Sequence, residues 1–227
     1  MTIRIEKKYT FNQVEKELVR DQIFGSQLAF SKTYEKRSIH SLYFDTHDYS
    51  CYNENLSGVA KRIKIRLRWY NQIEGLTPSK VIFEIKVKSN IQGNKLTQEL
   101  ELRDPVSLRS GQNLVLHLRE LLPSNFLPYF DNFCEPTLLV SYNREYYEDQ
   151  EKRVRVTIDD ELLFSKPSLN SVLLMDAGQT VKMTHGVIEV KTPYTERANI
   201  DKLFLENDFI RSGRHSKYSI GVASTRV

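Results

Sequence analysis

Residues Lys61–Tyr70 read KRIKIRLRWY. Arg62, Lys64, Arg66 and Arg68 alternate with Ile63, Ile65, Leu67 and Trp69. Side chains on a β-strand point to opposite faces in turn. The segment therefore predicts a strand with four cations on one face and four apolar groups on the other. Taken alone, it is explained by a solvated basic face over an apolar underside. Cations at such density repel unless something anionic lies against them. Carboxylates from neighbouring strands meet that need, and so does a polyanionic ligand.

Working outward, the same alternation recurs. Over residues 80–89, Val81, Phe83, Ile85 and Val87 share one face, and Glu84, Lys86 and Lys88 the other. Residues 95–102 place Thr97, Glu99 and Glu101 together. Residues 137–147 align Tyr142, Arg144 and Tyr146, and residues 153–160 align Arg153, Arg155, Thr157 and Asp159 against Val154, Val156 and Ile158. Residues 186–192 put Val187, Glu189 and Lys191 opposite Ile188 and Val190, and Pro193 ends that strand. Residues 2–9 and 38–45 predict two further strands, the first alternating Ile3 and Ile5 with Arg4, Glu6 and Lys8.

Helical spacing is sparser. Asn12 is positioned to cap a helix over 13–24, with Val14, Leu18 and Ile23 near helical spacing, and Thr46 to cap a short one through Asn53. Leu114, Leu118, Leu121 and Leu122 mark a helical insert over about 104–132. A short helix is expected over 200–207, and residues 211–227 read as a basic loop ending in a helical turn. Residues 72–79, 90–94 and 148–152 have turn composition, and 165–183 read as loop with one short strand. With no internal repeat or linker, a single domain over 1–227 is expected.

Composition bounds the function. The chain has 227 residues, 40% hydrophobic and 27% charged, with a net charge of +4. That balance suits a globular domain with a sizeable core and is too mild to demand nucleic acid. Cys51 and Cys134 belong to no C-x-x-C pair, which fits free thiols in a reducing compartment. The charged start MTIRIEKKY is unlike a signal peptide, and no apolar run approaches a membrane span. A cytoplasmic location is expected, with peripheral association at the inner face of a membrane left open. No G-x-x-x-x-G-K-[ST], H-E-x-x-H or G-x-S-x-G occurs, and the five histidines lack metal-ligand spacing.

Arg suits phosphate through bidentate donation, and hard divalent cations take carboxylate oxygens. Strands whose charged faces carry both types fit a sheet closed with that face inward around a polyanion and its metal. Short helices would cover the apolar faces. An empty charged interior would carry a desolvation cost that such a ligand offsets.

The order of several short motifs is similar to the VTC domain, the catalytic domain of the vacuolar transporter chaperone polyphosphate polymerase, within the triphosphate tunnel metalloenzymes or CYTH-like proteins. The motifs are R-x-E-x-K-Y (Arg4, Glu6, Lys8, Tyr9), SLYFDT (41–46), LSG (56–58), K-x-R-x-R (Lys64, Arg66, Arg68) and FEIKVK (83–88). They continue as Y-x-R-x-Y (Tyr142, Arg144, Tyr146), R-x-T-x-D (Arg155, Thr157, Asp159), EVK (189–191) and R-x-S-K-Y-S (214–219). The resemblance implies an α+β fold, mostly antiparallel β: a closed eight-stranded β-barrel tunnel with a charged interior, flanked by short helices. It implies Lys8, Arg66, Arg68, Lys86, Arg144 and Arg155 as catalytic phosphate ligands. Lys64, Lys88, Lys191, Arg214 and Lys217 are implied as substrate-binding, Arg214 standing where a Lys is usual. Glu189, supported by Glu6, is implied as ligand to Mn²⁺ or Mg²⁺.

The triphosphatase and adenylate-cyclase branches carry E-x-E-x-K on the first strand, where this chain has Arg4, Glu6 and Lys8. One carboxylate fewer and one cation more favour holding a phosphate chain over a second metal. The resemblance therefore implies a polyphosphate polymerase that moves the γ-phosphate of ATP onto inorganic polyphosphate. The alternatives are a metal-dependent triphosphatase and a non-catalytic polyphosphate-binding or sensor domain partnering a separate membrane protein. A nucleic-acid partner is not expected.

Overall fold

The computed structural model describes residues 4–71, 77–89, 92–103, 110–168 and 172–226. The fold is mostly antiparallel sheet with a few helices, an α+β arrangement. In chain order, β1 is Arg4–Asn12, α1 Lys16–Phe24, β2 Ser31–Asp45, α2 Ser50–Ser57, β3 Lys61–Tyr70, β4 Lys80–Ser89 and β5 Gln92–Glu101. There follow α3 Gly111–Leu121, α4 Leu127–Phe130, β6 Glu135–Glu148, β7 Arg155–Ser165, β8 Val181–Lys182 and β9 His185–Pro193. The chain ends through α5 Arg197–Leu205, β10 Ile210–Ser212 and α6 Lys217–Thr225.

Hydrogen-bonded neighbours run in the order β10-β1-β9-β7-β6-β2-β3-β4-β5, with β8 on β7. This corrects the expectation of a closed eight-stranded barrel, because among the described residues no ladder joins β5 to β10. The strands themselves supply the reason. β10 has only three residues. β5 presents exposed Lys95, Glu99 and Glu101, the charged side chains that blunt a sheet edge, with exposed Thr97 among them.

The chain forms two compact units, and β2, β6 and β7 contribute residues to both. The first unit holds residues up to 38, 142–162 and 182–215. Its core gathers Tyr9, Phe11, Val19, Ile23, Tyr147, Val156, Ile158, Ile188, Val190, Ile200 and Phe204. These are the apolar faces of β1, β7 and β9 covered by α1 and α5. Burying side chains of this size contributes about 2 kcal/mol each against leaving them exposed. Asn12 caps the chain as expected: its side chain accepts from Val14 N–H, and Glu15 accepts in return from Asn12 N–H. The first turn, Gln13–Glu15, is a 3-10 turn before α1 begins. Val19 and Ile23 are the buried residues of α1, whereas Val14 and Leu18 are exposed. Lys16 and Arg20 bind buried Glu145, and Lys16 also binds Asp160, tying α1 to β6 and β7.

The second unit holds residues 39–141, 163–181 and 216–227. Its core joins Leu42, Phe44, Ile65, Leu67, Trp69, Phe83 and Ile85 to Leu114, Leu118, Phe126 and Phe130. The apolar face predicted for Lys61–Tyr70 is thus buried, with Ile65 and Leu67 fully enclosed. The helices α3 and α4 lie between β5 and β6 in the chain; residues 104–109 of the expected insert lie outside the described residues. So do residues 72–76 and 90–91 of the expected turns and 169–171 of the expected 165–183 loop. At the other end of β2, buried Asp45 accepts from Cys51 N–H at 2.8 Å and Tyr52 N–H at 3.1 Å, and Thr46 Oγ1 accepts from Ser50 N–H at 2.8 Å. These bonds hold the start of α2, but the expected cap at Thr46 is corrected: the N-cap is Tyr49, which makes no side-chain cap bond, and the helix runs past Asn53 to Ser57, where Gly58 ends it with a left-handed φ of 70°.

Candidate phosphate-binding sites

In the first unit, strand register builds one polar face. Lys8 lies opposite Glu189, and Glu6 opposite Lys191. On the other side of β9, Thr157 lies opposite Glu189 and Arg155 opposite Lys191. Directly opposed residues share a face, so a single alternation rule converges the charge of three strands, β1, β9 and β7. Lys8 Nζ lies 3.5 Å from Glu189, 3.4 Å from Glu6 and 3.3 Å from the His215 carbonyl oxygen, to which it donates. Lys191 reaches the other carboxylate oxygen of Glu189 at 3.5 Å. Arg144, on β6, donates Nε and Nη2 to the two oxygens of Asp159 at 2.5 and 2.7 Å, a bidentate pair.

These charges set one another's ionisation. Burial would raise the Glu189 carboxyl, but Lys8, Arg144 and Lys191 outweigh it and hold it at about 2. Burial would lower Lys8, but Glu189 and Glu6 outweigh it and raise its ammonium above the usual value. Glu189 is therefore an anion at any working pH. Opposite it, the buried Thr157 hydroxyl has no hydrogen-bond partner among the described residues. Further along the same face, a cleft of about 180 Å³ is lined by Glu6, Arg153, Arg155 and Lys191, with Ile5 and Lys152. Arg155 is mostly exposed there and pairs with Glu148 at 2.7 Å.

The second unit carries the opening strand. Arg66 lies opposite Glu84 on β4 and Tyr43 on β2. Its Nε donates to Glu84 at 2.6 Å and its Nη1 to the Tyr43 hydroxyl at 3.2 Å. Lys95 of β5 also binds Glu84. Burial would raise Glu84, but Arg66, Arg68 and Lys95 hold it at about 2. Arg68 lies opposite Ser41. Its side chain is 12% exposed and its Nε is 3.6 Å from Glu84, too far for a hydrogen bond. The buried Arg68 Nε and the buried Ser41 Oγ both lack a hydrogen-bond partner among the described residues. Lys64 Nζ donates to Ser216 Oγ at 2.9 Å, the residue that caps α6.

The expected site residues thus divide. Glu6, Lys8, Arg144 and Glu189 come together in the first unit, with Lys191 and Arg155 at their margin. Lys64, Arg66 and Arg68 come together in the second. Lys86 and Lys88 share their face by register but are exposed, and so is Arg214. Lys217 is half-buried as the first residue of α6. Sequence reading assigned no role to Ser41, Tyr43 or the Asp159 partner of Arg144. The period-two alternation of SLYFDT, which puts residues 41 and 43 on one face, was the available signal.

The family model of the VTC domain matches residues 3–226. The chain belongs to the VTC family. No curated protein matches this VTC chain. Among solved structures, it is similar to an X-ray structure of "a putative adenylate cyclase" from Vibrio parahaemolyticus. The TM-score is 0.46 at 10% identity, covering 96% of the VTC chain and 97% of the other.

Within the VTC chain, the donor types suit a hard divalent cation. Two carboxylates, Glu189 and Glu6, meet at one ammonium, and Glu189 stays ionised. One or two carboxylates completed by substrate phosphate oxygens is the usual protein share for Mg²⁺. Among the described residues no group of three or more His, Cys, Asp and Glu side chains gathers in ligating geometry. No described helix is long and apolar enough to cross a membrane.

Proposed function

We propose that this VTC chain is a metal-dependent ATP:polyphosphate phosphotransferase, the whole of 1–227 working as one domain. The observation that carries the reading is Arg68: a guanidinium almost out of solvent, paired with Glu84 only at 3.6 Å, whose Nε–H has no hydrogen-bond acceptor among the described residues. A buried charge in that state is costly unless a ligand completes it, and phosphate oxygens are its natural complement. Family membership supports phosphate-chain chemistry, and Arg4 in place of the first-strand glutamate favours a chain over a second metal.

The terminal phosphate oxygen of the growing chain attacks the γ-phosphorus of ATP. A new P–O–P bond forms, the bond to the β,γ-bridging oxygen breaks, and ADP leaves with that electron pair. The attacking oxygen is already ionised near neutral pH, so no protein base is needed. Catalysis is then positioning and charge neutralisation. Arg66, Arg68, Arg144 and Arg155 neutralise phosphate oxygens. Lys8 and Lys86 hold terminal groups, and Lys64, Lys88, Lys191, Arg214 and Lys217 extend the phosphate contacts. Glu189, with Glu6, would hold Mn²⁺ or Mg²⁺, which would supply neutralisation of phosphate charge.

A triphosphatase on the same residues would use water as nucleophile and release orthophosphate. Incubation with ATP and Mn²⁺, followed by separation of products by chain length, decides between them. A separate membrane-protein partner and a peripheral position on the cytoplasmic face of a membrane remain part of the proposal, testable by co-fractionation.

A further inference from the structure

The block around Arg66 and Arg68 holds more than guanidinium groups. Ser41 and Tyr43 stand directly opposite Arg68 and Arg66, so the four side chains form a two-by-two array on one face of β2 and β3. Ser41 is 1% exposed and its hydroxyl has no hydrogen-bond partner among the described residues. Tyr43 is 6% exposed; its oxygen accepts from Arg66 Nη1 at 3.2 Å. Accepting that bond leaves the phenolic proton available to donate. The ring is fixed by stacking on Tyr218, with centroids 5.2 Å apart. The array's carboxylate neighbour, Glu84, is already engaged by Arg66 and Lys95.

Among the described residues two adjacent buried groups, the Ser41 hydroxyl and the Arg68 Nε–H, lack a hydrogen-bond partner, and beside them the Tyr43 hydroxyl has a proton to donate. Buried donors are nearly always matched, and each unmatched one costs folding free energy. A group consisting of acceptors alone satisfies both and takes the Tyr43 proton as well. We propose that Ser41 and Tyr43 are phosphate-binding residues, their hydroxyls donating to the same phosphate oxygens that Arg66 and Arg68 neutralise. The proposal rests on the phosphate-chain reading above and adds to it two uncharged ligands on β2.

A pH signature follows from the groups around Tyr43. Arg66, Arg68 and Lys64 face it from β3, Glu84 from β4, Tyr218 from α6, and Asp45 lies further along β2. Burial would raise the phenol, but Arg66, Arg68 and Lys64 outweigh it and lower it to about 8. Below that value the hydroxyl donates; above it a phenolate replaces the donor with a negative charge that repels the anion.

The test measures binding of inorganic triphosphate to the full chain by calorimetry, from pH 6.5 to pH 9, with thermal unfolding of the ligand-free protein (pH range chosen to span about 8). Ser41→Ala and Tyr43→Phe are each expected to weaken binding about tenfold at pH 7. Ser41→Ala leaves the ligand-free melting temperature unchanged or raised, because it removes an unmatched group. Wild-type affinity falls as pH rises through about 8, and the Tyr43→Phe profile is flatter. If wild type binds triphosphate and both variants bind it equally well, the hydroxyls are not ligands and the phosphate-chain reading survives. If binding is lost only in step with lowered melting temperature, their role is structural and the proposal is overturned. If wild type itself does not bind triphosphate, the phosphate-chain reading fails and the proposal with it.

Discussion

Lys8 and Glu189 stand directly opposite each other on β1 and β9, with ammonium and carboxylate 3.5 Å apart. The same ammonium reaches Glu6 at 3.4 Å, so one cation currently serves two carboxylates. A divalent cation bound at Glu189 would take over part of that role and free Lys8 for phosphate. On the proposed function, loss of Lys8 and loss of Glu189 should therefore differ in effect.

Glu189→Ala should lower metal-dependent ATP turnover about 100-fold or more, because a charged contact realised in the transition state is removed. Glu189 is held at about 2, so its ionisation contributes no acid limb to the activity profile above pH 4 (an order-of-magnitude margin). Turnover unchanged in the variant would contradict the proposed role of Glu189 as metal ligand.

Arg68→Ala and Lys88→Ala separate enclosed from exposed cations. Arg68 is 12% exposed and its Nε has no hydrogen-bond partner among the described residues, whereas Lys88 is exposed. Triphosphate affinity should fall tenfold or more in the first, roughly, and less than about threefold in the second. Titrating both at two salt concentrations checks this, because an exposed contact is screened and an enclosed one is not.

Glu84→Gln tests the ion-pair network by pH. The folded-state carboxyl lies at about 2 against a usual 4.5, a depressed value. Its stabilisation is therefore complete above the usual carboxylate range and is lost as pH falls through about 2. The variant should be less stable than wild type at pH 7 by on the order of 3 kcal/mol, the difference shrinking towards pH 2. Urea unfolding at pH 7, 4 and 2.5 provides the comparison; a constant gap would contradict it.

Gly186→Ala examines how β9 is seated. A Cβ there would meet the Phe11 ring carbons at 2.2 to 2.9 Å, inside a well-packed core. Overpacking of this kind costs about 1–3 kcal/mol. Thermal unfolding should show the loss, and because β9 carries Glu189, phosphate binding should weaken as well.

The polar and apolar faces were legible because period-two alternation is a local property. Ile65, Leu67 and Trp69 are buried as Lys61–Tyr70 suggests. The start of β2 was not legible: residues 31–37, SKTYEKR, lack an apolar alternation and are mostly exposed. β10 was missed because its three residues are specified by pairing with β1, Tyr9 against Ser212 and Phe11 against Ile210, not by their own pattern. Sheet closure is the least local property of all. It depends on how the first and last strands of the order end, which no single segment encodes. The unmatched donors were hidden for a related reason: Ser41 faces Arg68 only through register, and register is fixed by the whole hairpin.

The most direct test of the account is product length. The full chain is incubated with ATP and Mn²⁺ or Mg²⁺, and the phosphate products are resolved on a gel. A ladder of inorganic polyphosphate accompanied by ADP is the predicted result. Orthophosphate as the sole phosphate product, or no metal-dependent turnover of ATP at all, would contradict it.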